Sequence, residues 1–124
     1  MKIRTKRRFA LVLAIMMIAG STLSVSAGSL AKVTNTIAGV YYSGGVQIVN
    51  SSRVMAFMDV DDPTVYTYIQ GTIWNSVGDT ILVPSAGGTD GFYYNKSNLE
   101  DAHDGEVTFY GRLGYAVGTA YPYV

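Results

Sequence analysis

The sequence contains a single histidine for acid–base chemistry. His103 lies in the segment EDAHDGE, between Asp101 and Asp104. A Ser-His-Asp arrangement needs a serine held beside the histidine, and the sequence has no G-x-S-x-G elbow or other sign of such a serine. We therefore interpret His103 as a solvated loop residue and predict that the protein is not an enzyme. A small hydrolase that depends on His103 is the enzymatic alternative.

Carboxylates cluster in two loops, DVDDP and the later EDAHDGE. Calcium takes six to eight oxygen ligands from loops of this kind, although neither segment follows the twelve-residue calcium-loop pattern. Turn formation and protection against edge-to-edge aggregation explain the same acids without an ion. We predict no cofactor, with calcium as a weak alternative. The calcium candidates are Asp59, Asp61, Asp62, Asp101, Asp104 and Glu106.

Aromatic residues give the strongest compositional signal, since all ten tyrosines and the only tryptophan follow residue 28. In TVYTYIQGTIW (64–74), alternate positions of a strand fall on opposite faces. One face is an ordinary core face made of Val65, Thr67, Ile69, Gly71 and Ile73. The other face, which should meet water, carries Tyr66, Tyr68, Gln70, Thr72 and Trp74.

The segment TFYGRLGYAVGTAYPY (108–123), taken as one strand, offers a surface that complements these rings. One of its faces carries Tyr110 and Arg112, followed by a smooth strip of small residues, Gly114, Ala116, Gly118 and Ala120. Glycine within a strand often marks the close approach of another group. The hypothetical binding residues are Tyr66, Tyr68, Trp74, Tyr110 and Arg112, and the strip is a hypothetical assembly surface.

Three roles for the aromatic face remain open. The rings can cover the strip within one sheet, as cross-strand pairs do. They can meet the strip of a second copy. They can also stand open as a platform for a glycan or a peptide, because tyrosine and tryptophan combine a large apolar area with a polar end. Arg112 can stack on a ring or pair with an acid.

The first 27 residues have the layout of a secretory signal peptide. Five basic residues precede an apolar run, Phe9 to Ala19, and the segment ends in VSA at residue 27. A run of 11 residues is too short for a bilayer, which needs about 20. We predict cleavage between Ala27 and Gly28, secretion, and no stable membrane anchor; a retained anchor is the alternative.

Residues 28–124 are predicted to form a single all-β domain. Short β-type runs alternate with turn clusters every 8 to 15 residues or so, which is typical of a small antiparallel β-sandwich, with a small β-barrel as the alternative. We expect Gly28–Thr36 to be loose, SGG (43–45) to be a turn, SAGGTDG (85–91) to be a flexible loop, and a single helical turn to lie around 98–103. The stretch DGEVTFYG (104–111) resembles the turn and penultimate strand of immunoglobulin-like domains, which implies a sandwich of that kind.

Charge narrows the range of partners. Residues 28–124 carry four basic and nine acidic residues, a net charge of −5. This acidity argues against nucleic acid and anionic lipid surfaces. We expect a secreted binding or assembly domain whose partner is a protein or glycan at the cell surface, or a second copy of itself. A small bacteriocin-like toxin or effector is the rival function.

Overall fold

The computed structural model describes residues 28–124, so the predicted signal peptide lies outside the described residues. No helix of the described residues is long and apolar enough to cross a membrane. Within residues 28–124, nine strands and one 3-10 turn follow each other: β1 (Ala31–Ile37), β2 (Val40–Asn50), β3 (Arg53–Val60), β4 (Tyr66–Trp74), β5 (Thr80–Leu82), β6 (Ala86–Thr89), β7 (Phe92–Lys96), β8 (Asp104–Tyr110), the 3-10 turn (Arg112–Gly114) and β9 (Ala116–Ala120).

The strands form two antiparallel sheets. Sheet 1 has the order β1-β2-β3-β7, and sheet 2 has the order β5-β4-β8-β9, with β6 pairing with β4. The predicted all-β sandwich is confirmed. The barrel alternative is wrong for the described residues, because their strands do not close into a barrel.

The core lies between the two sheets and follows the period of two in the sequence. Tyr42 and Met58 from sheet 1 and Ile73 and Phe109 from sheet 2 are all fully buried. The core face predicted for β4 is confirmed at four of its five positions: Val65, Thr67, Ile69 and Ile73 are 5% exposed or less. A smaller apolar cluster of Met55 and Phe57 packs with Leu30 and Val49.

Two expectations about the start of the described chain are wrong. The segment expected to be loose forms most of β1, which pairs with β2 along its whole length. The expected turn at residues 43–45 lies inside β2. The chain reverses earlier, at Ala38 and Gly39, which both have positive φ. Gly44 lets the Phe109 ring lie close to the β2 backbone, since a Cβ there would lie 3.0 Å from the ring.

Two further expectations fail between β5 and β8. The glycine-rich segment expected to be a flexible loop contains β6, which pairs with β4. No helical turn forms around residues 98–103. Asn98 and Asp101 adopt positive φ there, and the amides of Leu99 and Ala102 donate to the carbonyls of Ser52 and Ser51 rather than to a helix.

The segment 108–123 is a hairpin rather than a single strand. β8 ends at Tyr110, the 3-10 turn follows, and β9 returns antiparallel to β8. Leu113 and Gly114 have φ of 56° and 77°, which breaks the strand. The turn implied by the resemblance to immunoglobulin-like domains does not form, because Asp104 and Gly105 already belong to β8. Val107 of this strand is fully buried.

Candidate binding surface

The outer face of sheet 2 carries a cluster of three tyrosines, Tyr66, Tyr68 and Tyr110, which we call the ring ridge. Tyr68 and Tyr110 are directly opposite each other on β4 and β8. Their rings are stacked, with centroids 4.8 Å apart and planes 13° apart. The Tyr66 and Tyr68 rings are 6.1 Å apart and tilted by 32°. Such ring pairs add about 0.5–1.5 kcal/mol beyond the area they bury, so Tyr68 is held in place as part of the sheet.

Tyr66 differs from Tyr68 because no strand residue lies opposite it on the β8 side. Extending the β4–β8 register by two residues would place Arg112 there, but β8 ends at Tyr110. The Tyr66 side chain is 55% exposed. Beside it lies an open cleft of about 490 Å³, which we call the Tyr66 cleft. It is lined by Asp62, Thr64, Val65, Tyr66, Tyr68, Gly111, Arg112, Leu113 and Gly114.

One wall of the Tyr66 cleft is fixed by a contact that crosses the sandwich. Gly111 packs against the ring of Tyr42 on sheet 1, and a Cβ at Gly111 would lie only 2.5 Å from that ring. The Tyr42 hydroxyl accepts a hydrogen bond from the amide of Arg112 at 3.0 Å. The turn closes on itself through the Gly111 amide, which donates to the Tyr115 carbonyl at 2.8 Å. Arg112 is therefore anchored by its backbone while its side chain stays exposed.

The opposite wall is the turn before β4. The Asp62 carboxylate accepts hydrogen bonds from the Thr64 amide at 2.9 Å and the Thr64 hydroxyl at 2.7 Å. Asp commonly forms turns of this kind with the backbone two residues on. A carboxylate and a guanidinium thus line the same cleft as the Tyr66 ring.

The other side of Tyr66 covers a glycine. Its ring lies over Gly87 of β6, where any Cβ would collide with the Tyr66 hydroxyl. A second depression of about 770 Å³ lies on this side, lined by Tyr66, Tyr68, Ile69, Gln70, Ser85, Ala86 and Gly87. Aromatic coverage of a glycine therefore occurs within sheet 2, with Gly87 rather than the predicted strip as the covered residue.

The predicted strip of small residues does not form one face, because its four members lie in different environments. Ala116 is exposed and lies opposite Tyr110. Gly118 faces inward, where its Cβ would lie 3.2 Å from Val33, and Ala120 is buried in the core. Gly114 belongs to the 3-10 turn, and a Cβ there would lie 3.4 Å from the Tyr68 hydroxyl. A bulge between Phe109 and Tyr110 and the break at the turn cause this divergence.

Trp74 lies apart from the ring ridge. It is six residues beyond Tyr68 on β4, a separation of about 20 Å at roughly 3.3 Å per residue. It lines a separate groove of about 300 Å³ with Asp104, Gly105, Glu106, Tyr121, Pro122 and Tyr123. Tyr121 and Tyr123 were not among the predicted binding residues. The sequence signal was present in AYPY, where a proline separates two tyrosines at the end of a strand.

His103 and the neighbouring acidic residues make local contacts within their own loops. His103 is exposed, and its Nδ1 lies 3.4 Å from the Asp104 carboxylate. The Ser76 hydroxyl donates to Asp101 at 2.6 Å rather than to the histidine. Hydrogen bonds from Ser76 hold the pKa of Asp101 below its ordinary value. Within residues 28–124, no group of three or more His, Asp or Glu side chains is placed to hold a metal ion.

Comparison of the chain with protein-family models, curated proteins and solved structures gives no match. A two-sheet sandwich hosts many unrelated functions. The chemistry of the outer face of sheet 2 is therefore the basis for a functional proposal.

Proposed function

We propose that this chain is a secreted, non-enzymatic binding domain that acts at the cell envelope or outside the cell. Its binding surface is the ring ridge together with the Tyr66 cleft. The observation that carries this proposal is the difference between two neighbouring tyrosines. Tyr68 has a stacked partner in Tyr110, whereas Tyr66 has an open cleft on the corresponding side and is 55% exposed.

The Tyr66 cleft suits a ligand that has one flat apolar face and polar groups at its edge. Such a ligand would take the position beside Tyr66 that Tyr110 takes beside Tyr68. Its polar groups would meet Asp62 and Arg112, which line the cleft. A guanidinium is a planar donor with several N–H groups and a carboxylate is an acceptor, so together they suit hydroxyl or amide groups. A sugar ring and a planar side chain of a protein both meet this description.

The contacts that fix the backbone of the two walls support binding in the Tyr66 cleft. The Gly111 contact with Tyr42 and the Asp62 turn set both walls of the cleft before any ligand arrives. Binding to preformed walls avoids part of the entropy cost of ordering loops. The net charge of −5 favours neutral or basic partners at a distance, and secretion depends on the signal peptide predicted for residues 1–27. An immunoglobulin-like arrangement of the sandwich stays a prediction.

The test is a titration of isolated envelopes of the producing organism with labelled protein recovered from a secreting host. Changing Tyr66 to alanine removes the exposed ring, and we expect at least a tenfold weaker apparent Kd. Tyr93→Ala is the matched control, because Tyr93 lies on sheet 1 and is also part exposed, at 43%. Equal affinities for wild type and both variants would show that the Tyr66 cleft is not the binding surface.

A further inference from the structure

We propose that the groove around Trp74 is a second site, which binds the ammonium group of a lysine side chain from a partner polypeptide. This site is separate from the Tyr66 cleft and does not depend on it. We call it the Trp74 groove. Five of its lining side chains carry the proposal: Trp74, Asp104, Glu106, Tyr121 and Tyr123.

The fold arranges these side chains as two rows across the outer face of sheet 2. In the first row, Asp104 lies opposite Trp74 on one side and forms a bridge with Tyr123 on the other. Directly opposed residues of antiparallel strands share a face. The row therefore places one carboxylate between two aromatic side chains.

The second row places a carboxylate beside one aromatic side chain. Glu106 lies opposite Thr72 of β4. Val107 pairs with Ala120, so extending the β8–β9 register by one residue places Tyr121 opposite Glu106. The amide of Gly105 donates to the Pro122 carbonyl at 2.9 Å, which holds the two tyrosines beside β8. The groove thus combines two carboxylates and three aromatic rings in about 300 Å³.

This composition suits an organic cation. The faces of aromatic rings attract ammonium groups, with tryptophan the strongest of the ring types. Two carboxylates line the groove, and no lysine or arginine is among its lining residues. His103 lies beside the groove, with its Nδ1 3.4 Å from the Asp104 carboxylate. A lysine can lay its apolar stem on the rings while its charged end meets the carboxylates.

A metal ion fits this groove less well. Calcium takes six to eight oxygen ligands, whereas the two carboxylates of the groove offer at most four oxygens. The volume, about 300 Å³, is at the small end of ligand pockets, which suits one side chain rather than a large ligand. The net charge of −5 over residues 28–124 would steer a basic partner toward the domain.

The only tryptophan of the chain reports directly on this site. The probe is the peptide acetyl-Gly-Lys-Gly-amide, added at fixed ionic strength while tryptophan emission of the secreted protein is recorded. The matched neutral probe carries norleucine in place of lysine. We expect a saturable emission change with the lysine peptide and at least a fivefold weaker effect with the norleucine peptide.

Variants test whether the lysine peptide binds in the Trp74 groove or is attracted by the acidic charge of the whole domain. We expect Glu106→Gln and Asp104→Asn each to weaken binding of the lysine peptide by fivefold or more. Glu100→Gln, at another exposed acid, should leave it unchanged. Tyr66→Ala should also leave it unchanged, so failure of the Tyr66 cleft and failure of the Trp74 groove give different results.

Three results would overturn the assignment. The first is equal binding of the lysine and norleucine peptides. The second is an equal effect of Glu106→Gln and Glu100→Gln. The third is saturable binding of tetramethylammonium without binding of the lysine peptide, which would point to a quaternary ammonium headgroup instead.

Discussion

Replacing Gly111 with alanine should destabilise the fold by crowding the contact between Gly111 and Tyr42 at the end of β8. Three carbons of the Tyr42 ring lie 2.5, 2.6 and 2.8 Å from the position of the added Cβ. The ring cannot easily move away, because Tyr42 is fully buried and its hydroxyl accepts the Arg112 amide. The added methyl group must therefore displace either the ring or the turn that forms one wall of the Tyr66 cleft.

The expected cost follows from these two contacts. Overpacking a well-filled core costs about 1–3 kcal/mol, and loss of the hydrogen bond to the Arg112 amide adds about 1 kcal/mol. We expect a loss of about 3 kcal/mol in the free energy of unfolding. For a domain of this size, each 1 kcal/mol lowers Tm by roughly 4–8 °C, so a fall of roughly 10–25 °C is expected.

Urea denaturation measures this loss, and Gly39→Ala is the matched control. Gly39 has no neighbour within 4 Å of its added Cβ, but its φ is +80°. Its substitution isolates backbone strain, which costs about 1–2 kcal/mol. A loss at Gly111 no larger than the loss at Gly39 would refute the crowding.

A double-mutant cycle gives a second check. Tyr42→Leu removes the ring that Gly111 contacts, so Gly111→Ala should cost at least 1 kcal/mol less in that background. Strictly additive losses would show that the two residues are not coupled.

Three further predictions concern the core, the acid loop and the leader. Phe109→Ala should cost about 3–5 kcal/mol in urea denaturation, because its fully buried ring packs against Gly44 and truncation leaves a cavity; a loss below 1 kcal/mol would contradict this packing. The pKa of Asp101 is lowered in the fold, so its contribution to stability is present above the ordinary value of 3.8 and is lost as pH falls through the folded value. Asp101→Asn should therefore lose less stability than wild type between pH 5 and pH 2 or so, as measured by urea midpoints; parallel losses would refute the role of Asp101. Intact mass of the secreted protein should place its first residue at Gly28, and an N-terminus at Met1 would overturn the secretion prediction.

The β4 face could be predicted from sequence because its alternation is unbroken and both of its faces are distinctive. Four of its five core positions are buried and its Tyr66 side chain is exposed, as the pattern indicates. At residues 108–123 the prediction of a single strand is wrong, although the alternation there also continues without a proline until residue 122. Alternation alone cannot detect a turn that depends on tertiary packing. Here Gly111, directly before the turn, packs against Tyr42, which is 69 residues away in sequence.

Most of the other differences between the predicted and the observed elements involve glycine. The sequence predicts turn or loop positions for the glycines at 44 and 87, yet both lie in strands beneath aromatic rings, those of Phe109 and Tyr66. A glycine that permits a turn and a glycine that accommodates a ring look the same in sequence. The sequence also does not predict that the aromatic face divides into the ring ridge and the Trp74 groove, because this division depends on how β8 and the chain end pair beside β4.

The most direct test of the proposed binding surface is hydrogen exchange of the secreted protein with and without isolated envelopes of the producing organism. The two walls of the Tyr66 cleft are turns, at residues 61–65 and 111–115, so their amides can report protection by a ligand. We expect added protection in both turns and none in β7 of sheet 1. Protection confined to sheet 1, or none at either turn while the protein is bound, would contradict the assignment of the ring ridge and the Tyr66 cleft as the binding surface.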